Sequence, residues 1–179
     1  MPRCYNKRHQ SDQLSAGATS CPLWRALCVL EIIMTIRLLN VDDSNWRECS
    51  DLKSAEEDKG LICSNVYAIA EWKFETESIF KAIYSGDELV GMLAYYFHDG
   101  DYGCFYWLYH LMIDKKYQGK GYGEAAVKLA VKEMYQLGAT EIRTMYMPGN
   151  VRAGKLYGKL GFEQVGTLGG GDIFLRLSS

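Results

Sequence analysis

The sequence lacks the cysteine patterns that mark metal-binding and disulfide-rich proteins. It contains six cysteines in 179 residues, but none forms a CxxC pair and no Cys/His group has zinc-finger spacing. A structural metal site is therefore not expected. Because no secretory signal accompanies these cysteines, we expect free thiols in the reducing environment of the cytoplasm.

Long apolar runs and basic clusters are also missing. The apolar stretch at residues 21–34 is interrupted by Arg25 and Glu31, and it is too short to span a membrane. Lysine and arginine are spread along the chain, whose formal net charge is −2. Neither a membrane nor a nucleic acid is therefore expected as a partner.

What is present is the composition of one ordinary globular domain. Hydrophobic residues make up 48% and charged residues 23% of the chain, close to globular averages. Residues 1–20 are polar and patternless, and the chain reads as a fresh start at Met34. We therefore predict that residues 1–33 are an extension and that residues 34–179 form the functional domain.

Periodicity predicts a sheet that is antiparallel in its first part and crossed over by a helix later. Strands are predicted at residues 35–41, 80–84, 88–98, 104–113, 140–147, 162–165 and 173–177, and helices at 43–53, 64–75, 122–137 and 150–160. Asp43 or Ser44 is expected to cap the first helix, and Ser64 or Asn65 the second. The predicted fold class is α/β: a single domain with a mixed, mostly antiparallel sheet flanked by helices.

A glycine-rich loop is predicted between strand 104–113 and helix 122–137. It reads Gln118-Gly119-Lys120-Gly121-Tyr122-Gly123. A helix start exposes unpaired N–H groups and the positive end of the helix dipole, so this loop suits a phosphate. Glycines let the backbone approach such an anion, and a Gln or Lys side chain adds a contact. The alternative is a tight connection that uses glycine only for its dihedral angles.

Two nucleotide-binding motifs do not fit this loop. A P-loop requires Ser or Thr after its lysine, but Gly121 follows Lys120. The dinucleotide fingerprint is GxGxxG, whereas this loop is GxGxG. Glu141 lies about 20 residues further on, but it falls at the start of its predicted strand instead of the end.

A second motif follows about thirty residues after the loop. Asn150 and Tyr157 are seven positions apart, so they share one face of a helix and lie about 10 Å apart along its axis. Each has an ordinary structural interpretation. Asn150 follows Pro148-Gly149 and suits an N-cap, and Tyr157 falls on an apolar stripe that could be core.

Together, the two motifs resemble those of the GNAT superfamily of N-acetyltransferases, over roughly residues 35–177. The resemblance implies the GNAT fold and acetyl-CoA as co-substrate, with no metal, and it suggests a homodimer. It also implies that Tyr157 protonates the leaving thiolate. The residues that it assigns to the cofactor are Leu111, Met112, Ile113, Gln118, Gly119, Lys120, Gly121, Tyr122, Gly123 and Asn150.

The general base is less well defined. Many polyamine-acetylating relatives carry a Glu at the position of Tyr109, and His110 beside it has a suitable pKa. We predict His110 as the base and keep open a water relay to Glu75 or Glu141. A nucleophilic Cys104 paired with His98 is geometrically possible, but it would lie far from the glycine loop.

The acceptor is predicted to be a small amine. Residues 64–71, the opening at residues 34–41 and the glycine loop resemble bacterial spermine/spermidine acetyltransferases, which implies a polyamine. Glu71 and Glu75 are predicted to bind it, within an acidic group that also includes Glu56, Glu57, Asp58 and Glu77. The alternatives are a GNAT enzyme for a protein N-terminus, an amino acid or an antibiotic, and a non-catalytic acyl-CoA-binding module.

Overall fold

The computed structural model describes residues 36–72, 74, 77–101 and 103–178. Within these ranges the predicted order of strands and helices is confirmed, with a short 3-10 helix added at Glu56–Asp58. The strands are β1 (Ile36–Asn40), β2 (Ile79–Ser85), β3 (Glu88–Gly100), β4 (Gly103–Ile113), β5 (Glu141–Tyr146), β6 (Glu163–Thr167) and β7 (Ile173–Ser178). The helices are α1 (Trp46–Asp51), α2 (Asn65–Trp72), α3 (Tyr122–Gln136) and α4 (Val151–Lys159). The predicted extension at residues 1–33 lies outside the described residues.

The strands form a seven-stranded sheet in the order β1-β2-β3-β4-β5-β7-β6. Every neighbouring pair is antiparallel except β4 and β5, which run parallel and are connected through α3. Tight turns at Gly86, with φ 60°, and Gly103, with φ 90°, join β2 to β3 and β3 to β4. The predicted mixed, mostly antiparallel α/β fold is confirmed.

Strand β4 lies at the centre and carries apolar layers on both faces, as its almost wholly apolar sequence predicts. On one face, α3 and α4 cover a core that includes Leu93, Leu108 and Ile142. On the other face, α1 and α2 cover a smaller core around Met92 and Ala94. The sheet is therefore the middle of three layers.

The first two helices are shorter than predicted. Neither Asp43 nor Ser44 caps α1, because the Asp42 carboxylate accepts hydrogen bonds from the Ser44 N–H at 2.9 Å and from its hydroxyl at 2.6 Å. This local turn delays the helix start to Trp46. The cap predicted at Ser64 is confirmed, since its Oγ accepts from the Tyr67 N–H at 3.2 Å. Helix α2 ends at Trp72 instead of residue 75.

The parallel pair β4–β5 opens into a fork. Only Tyr106 with Ile142 and Trp107 with Arg143 are paired in register. Beyond them, the Thr144 hydroxyl donates to the Leu108 carbonyl at 2.7 Å, so a side chain replaces the missing backbone ladder. The end of β4 from Leu108 to Ile113 therefore has no paired neighbour on its β5 side.

Candidate active site

A cleft of about 350 Å³ continues from this fork and runs between α3 and α4. It brings together nine of the ten residues predicted to bind the cofactor. These are Leu111, Met112, Ile113, Gln118, Gly119, Gly121, Tyr122, Gly123 and Asn150. Lys120 is exposed, and its ammonium lies 5.3 Å from the centroid of the Tyr117 ring. The two motifs therefore meet at one site, although they are distant in sequence.

Asp114 holds the chain in place between β4 and the glycine loop. Its side chain is 6% exposed, and its two carboxylate oxygens accept from the backbone N–H groups of Lys53 and Lys116, each at 2.9 Å. Its own N–H donates to the Val90 carbonyl at 2.9 Å. This buried carboxylate fixes where the glycine loop begins.

The glycine loop leaves its N–H groups open. Gly121 occupies the N-cap position of α3 with φ 87°, and no side chain caps the helix. Among the described residues, no protein group accepts a hydrogen bond from the backbone N–H groups of residues 118–124. Such donors, at the positive end of a 15-residue helix, favour an anionic ligand.

The N-terminus of α4 is built differently. Asn150 is its N-cap, and its Oδ1 accepts from the Ala153 N–H at 3.0 Å. The predicted capping role of Asn150 is therefore confirmed. Its contact with the cofactor stays a prediction, consistent with its position in the cleft wall.

A polar cluster that the sequence did not predict closes one end of the cleft. Arg152 donates to the Gln118 amide oxygen, to Asp58 at 3.1 Å and to Glu57 at 3.2 Å. The Gln118 amide nitrogen donates to Asp58 at 2.9 Å and to the Ile113 carbonyl at 3.0 Å. Because its side chain is occupied by protein groups, the backbone N–H is the group of Gln118 that remains available to a ligand.

Lysines on α4 add positive charge to the cleft wall. Lys159 pairs with Glu124 at 2.5 Å, and Lys128 pairs with the same carboxylate at 2.8 Å. Lys155 also lines the cleft and has no ion-pair partner among the described residues. One unpaired lysine beside seven open N–H donors fits a ligand that carries several phosphates.

Tyr157 lies one turn beyond Ala153 of the cleft wall, on the side of α4 that faces the sheet. It is 5% exposed, and its ring packs edge-to-face on Phe162 with 5.4 Å between centroids. Burial raises the pKa of the Tyr157 hydroxyl, an effect that the Thr144 hydroxyl opposes. The phenol therefore keeps its proton at neutral pH.

His110 faces the opposite layer of the protein. It is 4% exposed; Nε2 lies 2.9 Å from the Asn65 amide oxygen, and Nδ1 lies 3.5 Å from the Cys63 sulfur. Burial lowers the pKa of His110 to about 4, so the imidazole is neutral near pH 7. Its role as a base stays a prediction, and these contacts show that only Nδ1 has access to an exposed group.

The other candidate bases lie apart from the cleft. Glu141 pairs with Arg143 at the start of β5, beside the far end of β4. Glu75 lies outside the described residues. The Cys104 thiol donates to Asp99 at 3.1 Å, so the alternative Cys104–His98 pair does not form.

The predicted acidic group is largely paired. Glu56 binds Lys59 at 2.5 Å, whereas Glu57 and Asp58 both bind Arg152. Glu71 is exposed on α2, as is Glu77 before β2, and neither has an ion-pair partner among the described residues. Their carboxylates are therefore the members of the group that remain available to a cation.

Neither a metal site nor a spanning helix is found in the described part of the chain. No three His, Cys, Asp or Glu side chains of these residues lie close enough together to hold a metal ion. Every helix assigned there is too short or too polar to cross a bilayer.

An open strand edge beside an uncapped helix start gives this fold a site suited to a ligand with an anionic end. The acetyltransferase (GNAT) family model matches residues 42–162, so the chain belongs to this family. It is an acetyl-CoA-dependent N-acetyltransferase.

A curated relative is similar in sequence, and two solved structures are similar in fold. The chain is 28% identical to the spermine/spermidine N(1)-acetyltransferase of Bacillus subtilis (strain 168) over 145 residues, which cover 75% of this chain and 92% of the relative. The solved structure of PaiA N-acetyltransferase from Thermoplasma acidophilum with coenzyme A has a TM-score of 0.62 and 19% identity, covering 82% of this chain and all of that one. Arabidopsis thaliana Naa50, bound to a bisubstrate analogue, has a TM-score of 0.61 and 21% identity, covering 81% and 99%.

Proposed function

We propose that this enzyme transfers the acetyl group of acetyl-CoA to a primary amine of a polyamine such as spermidine or spermine. The transfer takes place by direct attack in a ternary complex. The observation that carries the proposal is the set of open N–H groups at residues 118–124, which have no acceptor among the described residues. The name of the Bacillus subtilis relative supports the polyamine as acceptor.

The donor is held by its charged end. The backbone N–H groups of residues 118–124 bind the diphosphate of CoA, and Lys155 adds a positive charge. The thioester end extends along Leu111–Ile113, where β4 has no paired neighbour on its β5 side. A free backbone N–H of this segment then polarises the thioester carbonyl as negative charge develops on its oxygen.

Tyr157 supplies the proton that the leaving group needs. When the amine displaces the thioester sulfur, CoA leaves as a thiolate. Because burial raises the pKa of the Tyr157 hydroxyl, the phenol is protonated at neutral pH and has a proton to donate as the C–S bond breaks. Its position one turn from the cleft wall supports this role.

The amine must lose a proton before it attacks. An alkylammonium has a pKa near 10.4, so only a small fraction of the free base is present at pH 7. His110 remains the predicted base, and the amine proton reaches its Nδ1 through water, without entry of the polyamine into the pocket beside Cys63. A water relay to Glu75 or Glu141 is the alternative; Glu141 is paired with Arg143, and Glu75 lies outside the described residues.

The substrate class is tested by a panel of amines. Initial rates with spermidine, spermine, putrescine, a Met-initiated peptide and an aminoglycoside would be measured at fixed acetyl-CoA. We expect the highest kcat/KM with spermidine or spermine, and a several-fold increase in KM for Glu71→Gln with little change in kcat. Turnover of the peptide alone would assign the enzyme to protein N-termini instead.

The assembly stays a prediction from the family resemblance, and the location stays a prediction from the cysteine pattern. A homodimer in the cytoplasm is expected. Size-exclusion chromatography with light scattering, at several protein concentrations, measures the mass in solution and tests the first of these expectations.

A further inference from the structure

A second cleft, of about 360 Å³, lies beside the cofactor cleft and has a different lining. Its wall includes Cys63, Asn65 and three lysines, and it shares Ile62 and Met112 with the cofactor cleft. The lysines are Lys53, Lys59 and Lys115. Such a rim repels a polyamine and attracts an anion, so this cleft suits a ligand other than the proposed acceptor.

Two lining side chains, Cys63 and Asn65, are connected by hydrogen bonds through His110, which lies buried behind the cleft wall. Cys63 is an exposed residue whose sulfur lies 3.5 Å from His110 Nδ1, and His110 Nε2 lies 2.9 Å from Asn65 Oδ1. The Asn65 amide nitrogen donates to the Cys49 carbonyl at 2.7 Å. Segments 45 and 47 residues apart in sequence are joined here.

The Cys49 carbonyl fixes which atoms donate and which accept in this series of hydrogen bonds. A carbonyl only accepts, so Asn65 must present its nitrogen to Cys49 and its oxygen to His110. His110 therefore carries its hydrogen on Nε2 and a lone pair on Nδ1. Nδ1 in turn accepts from the Cys63 thiol, which points the thiol proton at a base.

We propose that Cys63, His110 and Asn65 form a base-assisted thiol site that reacts with small disulfides bearing carboxylates. As the Cys63 sulfur attacks one sulfur of the disulfide, its proton passes to His110 Nδ1. The disulfide bond breaks, and the departing thiolate takes that proton as it leaves. The products are a mixed disulfide on Cys63 and one free thiol, and His110 returns to its neutral form.

The resting state follows from burial. Burial, together with the charge of Glu71, raises the pKa of the Cys63 thiol, and burial lowers the pKa of His110 to about 4. The pair therefore rests as a thiol and a neutral imidazole, and the proton moves only as the new bond forms. The other charged groups around the thiol are Glu56 and the three lysines of the cleft wall.

The backbone holds two of the lysines side by side at the cleft. The Lys115 N–H donates to the Lys53 carbonyl at 2.9 Å, and the Lys53 N–H donates to the buried Asp114 carboxylate. Lys59 pairs with Glu56, which leaves Lys53 and Lys115 to attract the carboxylates of the disulfide. Among the described residues, neither of these two has an ion-pair partner.

Cys104 offers an internal control for the test. It is also an exposed free thiol, but its partner is the Asp99 carboxylate instead of an imidazole. The reduced full-length protein would be reacted with dithiobis(nitrobenzoate), a dianionic disulfide, and each cysteine peptide would be quantified by mass spectrometry. We expect Cys63 to react at least about tenfold faster than Cys104 at pH 7.5. Equal rates would overturn the proposal.

The base is tested in two ways. In His110→Gln, the Cys63 rate is expected to fall about tenfold or more while the Cys104 rate is unchanged. In the unmodified protein, from pH 8 to pH 6, the Cys104 rate should fall about 100-fold and the Cys63 rate less than about tenfold, because neutral His110 still accepts the proton. An unchanged Cys63 rate in the variant, or parallel pH profiles, would refute base assistance even if the variant folds poorly.

The ligand class is tested by charge. Dithiodipyridine is a neutral disulfide, so the ratio of anionic to neutral reagent rates isolates the effect of the lysines. We expect this ratio to be several-fold higher for Cys63 than for Cys104, and to decrease in Lys115→Met. A ratio that is equal at the two cysteines would exclude an anionic disulfide. The readout is independent of acetyl transfer, so failure here leaves the proposed polyamine activity untouched.

Discussion

The two faces of the sheet differ in whether their hydrogen-bond donors have protein acceptors. On the α1–α2 face, the Asn65 amide and His110 Nε2 both donate to protein acceptors within 2.9 Å. On the α3–α4 side, the N–H groups of residues 118–124 have no acceptor among the described residues. A closed network stabilises the fold, whereas open donors are available to a ligand.

This difference explains how one small domain supports both stability and binding. Burying Asn65 and the Nε2–H of His110 costs little free energy, because protein acceptors replace the hydrogen bonds that these groups make with water in the unfolded chain. The open donors lie at the cleft surface, where water satisfies them until a ligand arrives. Four predictions test whether the two faces are divided in this way.

The largest effect is expected at Tyr157, on the open face. Removing its hydroxyl in Tyr157→Phe deprives the leaving thiolate of its proton donor, so kcat should fall about 100-fold. The dissociation constant of acetyl-CoA, measured by calorimetry, should change less than about twofold, since the hydroxyl binds no phosphate. Tyr135→Phe on α3 is the matched control and should leave both values unchanged. An undiminished kcat would remove Tyr157 from the mechanism.

The second-largest effect is expected when the unpaired N–H groups at the start of α3 are given a protein acceptor. In Gly121→Asp, a carboxylate at the N-cap of α3 would accept from the helix N–H groups and repel the phosphates. The dissociation constant of acetyl-CoA should rise about tenfold or more, because the carboxylate both repels the phosphates and occupies the N–H groups that would bind them. Gly86→Asp, at a turn with φ 60°, imposes similar backbone strain and should leave affinity unchanged. Equal affinities would show that this helix end does not hold the cofactor.

The closed face should respond to pH through His110. The unfolded chain binds a proton with a pKa of 6.5, but the folded protein does so only near a pKa of about 4. Stability is therefore complete above pH 6.5 and is lost as the pH falls toward 4. Between pH 7 and pH 5 this one group should reduce the free energy of unfolding by about 2 kcal/mol.

Urea denaturation at the two pH values measures that loss. His110→Gln lacks the titrating group, so its free energy of unfolding should show a smaller decrease over the same interval. An identical decrease in the variant would show that His110 is not the group responsible.

The smallest effect is expected at Asn150, which lines the cofactor cleft but already has its side chain engaged as a helix cap. Asn150→Ala removes the cap of α4 and should reduce stability by about 1 kcal/mol, or lower Tm by about 2–4 °C. Acetyl-CoA affinity should change less than in Gly121→Asp. If Asn150→Ala lowers the free energy of acetyl-CoA binding by more than it lowers the free energy of unfolding, the main role of Asn150 is to contact the cofactor, and capping is secondary.

Features encoded in neighbouring residues were predictable from the sequence. The glycine loop, the stop of α3 at Gly138 with φ 97° and the cap at Asn150 all depend on a few adjacent positions. The fold class followed from turn spacing and from the apolar central strand. The start of α1 at Trp46 and the 3-10 helix were not predicted. A local turn at Asp42 competes with helix propensity and shifts the start of α1.

Contacts between distant segments were not predictable in the same way. Arg152 stands inside the second motif, so its charge could have drawn attention, but its partner Asp58 lies 94 residues away. The partners of His110 are likewise 45 and 47 residues distant. A single sequence carries no signal for such pairs, since their proximity arises only when α2 packs on the sheet.

The fork between β4 and β5 has a mechanical consequence. Among the described residues, two in-register residue pairs and the Thr144 hydroxyl are the hydrogen-bonded links between strands β4 and β5, which join the β1–β4 and β5–β7 halves of the sheet. The halves are thus joined by a short hydrogen-bonded seam, and side-chain contacts across it add to their cohesion, with Arg143 over the Phe105 ring and Trp107 stacked on Phe174. Amide hydrogen exchange should begin along this seam and slow down when a ligand bridges it.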